Sequence, residues 1–227
     1  MASSAPSGTK APGLLPTRNS GWQRGPPGKT RPLRCTAVLR AEHAVVARLL
    51  NCLERAAAAI FLGGPVHEGA FVRVFGLMNV FVCRGHFAKE GLLLEMLEGK
   101  GLWQLPGFPG EHRDSLEFAA AMLRALPEAA GGTRPARRML AENATAYVGF
   151  MRSHIAREER LVFSEADSVL TDLDDAAAVE AFAEIDCRTG CTSGEALAED
   201  VERCLAGILG RGADGAPRMY LWRPAEE

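Results

Sequence analysis

Residues 135–170 read PARRMLAENATAYVGFMRSHIAREERLVFSEADSVL. Ala, Leu, Glu and Arg, all good helix formers, dominate this stretch, and the alternation a half-buried strand needs is missing. Pro135 stands where proline suits the first turn of a helix. Tyr147, Met151, His154, Glu158 and Leu161 recur every three or four residues, so they share one face. The stretch therefore predicts one long helix that carries a histidine and a carboxylate on its apolar stripe.

The same pattern extends back to residue 35. Segment 36–62 predicts a first helix that stops at Gly63-Gly64-Pro65. A second, about 68–98, stops at Gly99, and a Gly/Pro-rich loop follows from Gly101 to Gly110. A third, about 111–130, ends at Gly131-Gly132. Beyond residue 170 a shorter helix over 173–186, a loop marked by Gly190 and Gly194, and a last helix over 195–209 are expected. No sequence repeat stands out. The expected fold class is all-α, an antiparallel up-down-up-down four-helix bundle with additional C-terminal helices. Its expected parts are a head (1–34), the bundle (35–171), a helical extension (172–210) and a Gly/Pro-rich tail (211–227), which Tyr220, Leu221 and Trp222 could pin to the body.

Composition narrows the function classes. The chain has 227 residues, 47% hydrophobic and 24% charged, which is ordinary for a globular protein and excludes a collagen-like or wholly disordered one. Its net charge of −2 argues against general nucleic-acid binding. No run of about 18 apolar residues predicts a membrane span. The charge is unevenly placed. Residues 1–34 hold six basic residues, six prolines and no Asp or Glu, so the rest carries 20 basic and 28 acidic residues. Such a head reads as a disordered, flexible tail, with an organelle transit peptide as the alternative. Cys35, Cys52, Cys83, Cys187, Cys191 and Cys204 are too scattered for a disulfide scaffold, which points to a reducing, cytoplasmic setting.

Four of the five histidines fall one per predicted long helix: His43, His86, His112 and His154. His43 lies on the stripe Leu39, His43, Val46, Leu50, Leu53. His86 lies on Phe75, Asn79, Val82, His86, Glu90, Leu93, Leu97. His112 begins the weaker series His112, Leu116, Ala119, Leu123. Glu90 follows His86 by four residues and Glu158 follows His154 by four, so each imidazole has a carboxylate one turn away on the same face. In an antiparallel hairpin, residues equidistant from the turn lie at equal height. His43 and His86 are centred between Gly64 and Pro65, and His112 and His154 are centred on Thr133. Four imidazoles and two carboxylates left unpaired in an apolar core would be costly, and a cation compensates them most directly. His67 lies 19 residues before His86, roughly 28 Å along a helix, and is excluded from the set.

This donor set is too large for one tetrahedral zinc and too rich in nitrogen for calcium or magnesium. It suits two iron ions, with Glu90 and Glu158 bridging and two imidazoles on each metal, although ligand type leaves zinc and manganese open. Several pieces then resemble the hemerythrin-like, HHE cation-binding four-helix bundles. They are Ala41-Glu42-His43, Gly85-His86-Phe87-Ala88-Lys89-Glu90, Glu111-His112-Arg113, and the run His154 to Phe163, in which a His-Ile-x-x-Glu-Glu pattern ends in an aromatic. The resemblance covers about 36–170. Oxygen-carrying hemerythrins have a further histidine four residues after the helix-three ligand, where this chain has Leu116. Glu159 is a possible substitute for Glu158, because carriers space histidine and bridging carboxylate by five.

The resemblance implies a non-haem di-iron protein that binds dioxygen, nitric oxide or a peroxide at open iron positions. Tyr147, two turns before His154, is expected to serve packing, with a place near the bound gas as the alternative. Its alternative is a redox enzyme on the same centre, reducing peroxide or nitric oxide or repairing iron centres, since a missing ligand opens positions for chemistry. A third reading is an iron- or oxygen-sensing interaction module in which Cys187 and Cys191 report redox state.

Overall fold

A computed structural model describes residues 32–102 and 107–190, together with 195, 196, 198, 199, 202, 203 and 206. The head and tail expected from the sequence lie outside the described residues, apart from Pro32, Leu33 and Arg34 of the head. Every element among the described residues is helical. They are α1 (Arg34–Phe61), α2 (Glu68–Leu77), a π-helical segment (Met78–His86), α3 (Phe87–Gly99), α4 (Phe108–Ala130), α5 (Arg134–Glu158), a second π-helical segment (Glu159–Phe163), α6 (Ser164–Val169) and α7 (Asp172–Thr189). The expected second helix is thus α2 and α3 joined by a wider-wound stretch, and the expected fourth is α5 and α6 joined the same way. No described helix is long and apolar enough to cross a membrane.

Glycines set the hairpins. Gly63 (φ 85°) and Gly132 (φ 93°) hold the left-handed conformation that turns the chain after α1 and after α4. The α1 and α5 helices then run antiparallel: His43 meets Glu159, Glu54 meets Arg152 at 2.8 Å, and Gly63 meets Arg137 at 3.2 Å. The α4 helix packs along α5 and α2, and α7 lies against α1, α3 and the first π-helical segment.

The first turn of α1 has no side-chain cap of its own. Carboxylates from elsewhere supply it. Asp175 accepts from the Cys35 backbone N–H (2.9 Å) and the Arg34 guanidinium (3.0 Å). Asp167 accepts from the Leu33 backbone N–H (2.9 Å), the Thr36 hydroxyl (2.6 Å) and Arg40 (3.0 Å). Anions at a helix N-terminus satisfy its free N–H groups and oppose its dipole. Beside Asp175, burial first and the carboxylate second push the Cys35 thiol up to about 12. The α7 helix begins with a capping box of its own, between Thr171 and Asp174. It ends at Gly190, in the left-handed conformation; Cys187 is an exposed residue of α7, and Cys191 lies outside the described residues.

Apolar side chains gather into two separate clusters. One joins Val46, Leu50, Val82, Met122 and Met151; the other joins Leu39, Leu93, Phe108, Val162 and Phe182. The passage from one cluster to the other brackets a histidine: Leu39–His43–Val46 in α1, Val82–His86–Leu93 from the first π-helical segment into α3, Phe108–His112–Met122 in α4, and Met151–His154–Val162 from α5 into the second π-helical segment. A polar layer divides the core.

Candidate metal centre

That layer contains His43, His86, Glu90, His154 and Glu158, all buried, and His112, whose side chain is 12% exposed. Ligand atoms of Glu90, His112, His154 and Glu158 all lie within 4.8 Å of one another, and so do those of His43, His86 and Glu90. Glu90 belongs to both groups. Its Oε1 lies 3.2 Å from His43 Nε2 and 2.7 Å from His86 Nε2, while its Oε2 lies 3.2 Å from His112 Nε2. Glu158 is shared in the same manner. Its Oε2 lies 3.2 Å from His154 Nε2 and 3.5 Å from His43 Nε2, and its Oε1 lies 3.5 Å from His112 Nε2. Donors around one cation at about 2.1 Å sit roughly 3 Å apart in neighbouring coordination positions.

The outer ring nitrogens fix which inner nitrogens are free. His86 Nδ1–H donates to Glu42 (2.8 Å), His154 Nδ1–H to Glu111 (2.7 Å) and His43 Nδ1–H to Glu159 (3.0 Å). An ionised carboxylate can only accept, so each Nδ1 carries the proton. Although burial raises Glu42, its hydrogen bonds and charges from His86 and Lys89 bring it below its usual range; Arg157 and His154 do the same for Glu111. A neutral ring then aims its Nε2 lone pair at the oxygens of Glu90 or Glu158. Lone pair against lone pair is repulsive unless a proton or a cation lies between.

Two observations bear on that choice. Without a cation, burial pushes His86 and His112 down, but Glu90, Glu158 and Glu42 outweigh it and raise them to about 10 and about 9. Burial likewise raises Glu90, and the surrounding imidazoles bring it well below the carboxylate range. Second, His112 Nε2, His154 Nε2, Glu90 Oε2 and Glu158 Oε2 are buried with no hydrogen-bond partner. His112 Nε2 faces Glu90 Oε2, and His154 Nε2 faces Glu158 Oε2, each at 3.2 Å without hydrogen-bond geometry, and a cation placed among them can use all four atoms. The buried groups fit a metal ion.

Residues beyond the six complete a pattern. Glu42-His43 and His86-Phe87-Ala88-Lys89-Glu90 in one half match Glu111-His112 and His154-Ile155-Ala156-Arg157-Glu158 in the other. Lys89 bonds Glu42 as Arg157 bonds Glu111. The sequence did not read as a repeat because the shared positions are few and lie in short pieces more than 40 residues apart. Each H-x-x-x-E turn also abuts a π-helical segment, a winding often found at functional sites. Phe87 stacks on the His112 ring at 3.9 Å and Phe163 on His43 at 5.2 Å, closing the layer with apolar walls.

The remaining sequence candidates fall elsewhere. Glu158 occupies the shared position, and Glu159, 42% exposed, serves the outer nitrogen of His43 instead. Leu116 is 44% exposed and offers no donor. His67 precedes α2, away from the layer. Tyr147 is buried against Phe118, with ring centroids 6.2 Å apart.

No family model matches this chain, and neither a curated protein nor a solved structure does.

Proposed function

We propose that this chain is a hemerythrin-like protein in which α1, α2–α3, α4 and α5 form an antiparallel up-down-up-down bundle around two iron ions. His43 and His86 hold one ion, His112 and His154 the other, and Glu90 and Glu158 bridge. The observation that carries this reading is the convergence, in one buried polar layer, of four donor atoms that make no hydrogen bond, on four residues whose ligand atoms lie within 4.8 Å of one another. Iron bound there would supply a one-electron couple and open positions for dioxygen, nitric oxide or a peroxide. The chain's own contribution is to orient the imidazoles through Glu42, Glu111 and Glu159 and to exclude water with Phe87, Phe163 and Phe108. His112, at the most exposed edge of the layer, marks the side from which a small ligand enters. Iron(II) supplied without oxygen is expected to load about two ions per chain, with oxo-bridge absorption bands after exposure to air. Iron-supplied protein with neither the metal nor the bands would sink the reading.

The absence of a donor at Leu116 favours a second reading, a redox enzyme on the same centre, because six protein ligands leave more open positions than seven. Turnover of peroxide or nitric oxide by iron-loaded protein, lost in Glu90→Ala, distinguishes this from simple binding.

A further inference from the structure

The two halves of the centre differ in one respect. Beside His154, Glu111 is balanced by Arg157, whose side chain is 35% exposed. Beside His86, Glu42 is balanced by Lys89, whose side chain is 2% exposed. Lys89 Nζ also lies 2.6 Å from a second carboxylate, Asp186 of α7, with the Phe182 ring centroid 6.0 Å away. Ala178, Phe182 and Ile185 anchor α7 in the same apolar cluster as Leu39, Leu93 and Phe163. The Glu42–Lys89–Asp186 run therefore carries one more negative charge than the Glu111–Arg157 pair. The Asp186 side chain is 33% exposed, but its Oδ1 is buried against the Lys89 ammonium, so its charge acts inward through Glu42 on the Nδ1–H of His86 and raises the basicity of Nε2. The Nδ1 contacts of the other two rings act in the same direction. His43 has Glu159 there, and His112 has no carboxylate there among the described residues.

We infer that α7 makes the two metal positions unequal: Asp186, acting through Lys89 and Glu42, makes the His43–His86 position the tighter one, and a cation there holds α7 down in return. The inference rests on the metal-binding reading above. Asp186 touches no donor atom and is a positioning residue. The return effect follows from linkage, because a helix that strengthens cation binding is strengthened by the cation to the same extent.

Calorimetric titration of the metal-free full chain with cobalt(II) tests it. Two steps at least ten-fold apart are expected. His86→Ala should remove the tight step and His112→Ala the weak one. Asp186→Asn should weaken the tight step ten-fold or more, leave the weak step within two-fold, and give way to near wild-type behaviour in Asp186→Glu, which keeps the charge. Hydrogen exchange supplies a measurement that needs no variant: cobalt(II) should slow exchange of the α7 amides in the wild-type chain. A tight step unchanged in Asp186→Asn, both steps weakened equally, or α7 exchange indifferent to cobalt(II) would each overturn the inference. Wild-type chain that takes up no cobalt(II) would instead overturn the metal reading itself, and this inference with it.

Discussion

Three of the four imidazoles donate their outer N–H to a carboxylate, and this has measurable consequences. Glu111→Gln weakens the hold on His154 and is expected to lower metal affinity by about 10- to 100-fold, the usual range for such partners. Glu159→Gln should cost less, because Glu159 is half in solvent; equal losses in a cobalt(II) titration would contradict the difference. Without metal, the raised imidazoles contribute stability in full below their ordinary 6.5, and it is lost as pH rises through about 9 for His112 and about 10 for His86. The lowered carboxylates Glu90 and Glu158 contribute above their ordinary 4.5, and lose that contribution on acidification. Chelated protein should therefore melt highest between about pH 4.5 and 6.5 and lower as pH rises, whereas metal-loaded protein keeps its stability above pH 7, where the rings bind metal unprotonated. Parallel melting curves with pH, with and without chelator, would refute this. The six donors were legible because i, i+4 spacing and hairpin symmetry are local or simple relations. Glu42 and Glu111 were not, since each sits beside one histidine in sequence and serves another more than 40 residues away.

Among the elements, the α1 N-terminus depends on residues that fold beside it from the far end of the chain. Asp175→Ala removes two hydrogen bonds to that turn and is expected to cost about 1–3 kcal/mol in urea unfolding. A change under a few tenths would mean that α1 caps itself. The helix ends themselves were readable, because Gly63, Gly99 and Gly132 interrupt apolar periodicity in ways few other residues can. The π-helical winding was not readable. A regular helix predicts Asn79 on the buried stripe, whereas Met78 is buried and Asn79 exposed. The extra residue per turn is tolerated through tertiary contacts, which no local propensity encodes. The place of α7 was equally hidden: its own sequence gives a capped helix, but its role depends on Lys89, a residue that composition would assign to the surface.

For the molecule as a whole, the polar layer is both the liability and the link between two apolar clusters. Metal at 100 times its dissociation constant should stabilise the fold by about 2.7 kcal/mol per independent site, seen as a chelator-reversible rise in melting temperature. A chain beginning at Pro32 keeps Leu33 and every other described partner of Asp167 and Asp175, and is expected to bind the same number of ions; lost binding would give the head a part in the centre. With cations bound, the centre also acts as a cross-link. Glu158 faces His43 across the layer, so metal shared between them closes a loop of more than 100 residues. A covalent closure of about 100 residues is worth about 4.7 kcal/mol on the chain-entropy scale. Unlike a disulfide, this one opens and closes with the supply of metal, so the lifetime of the folded chain would follow the metal available to it.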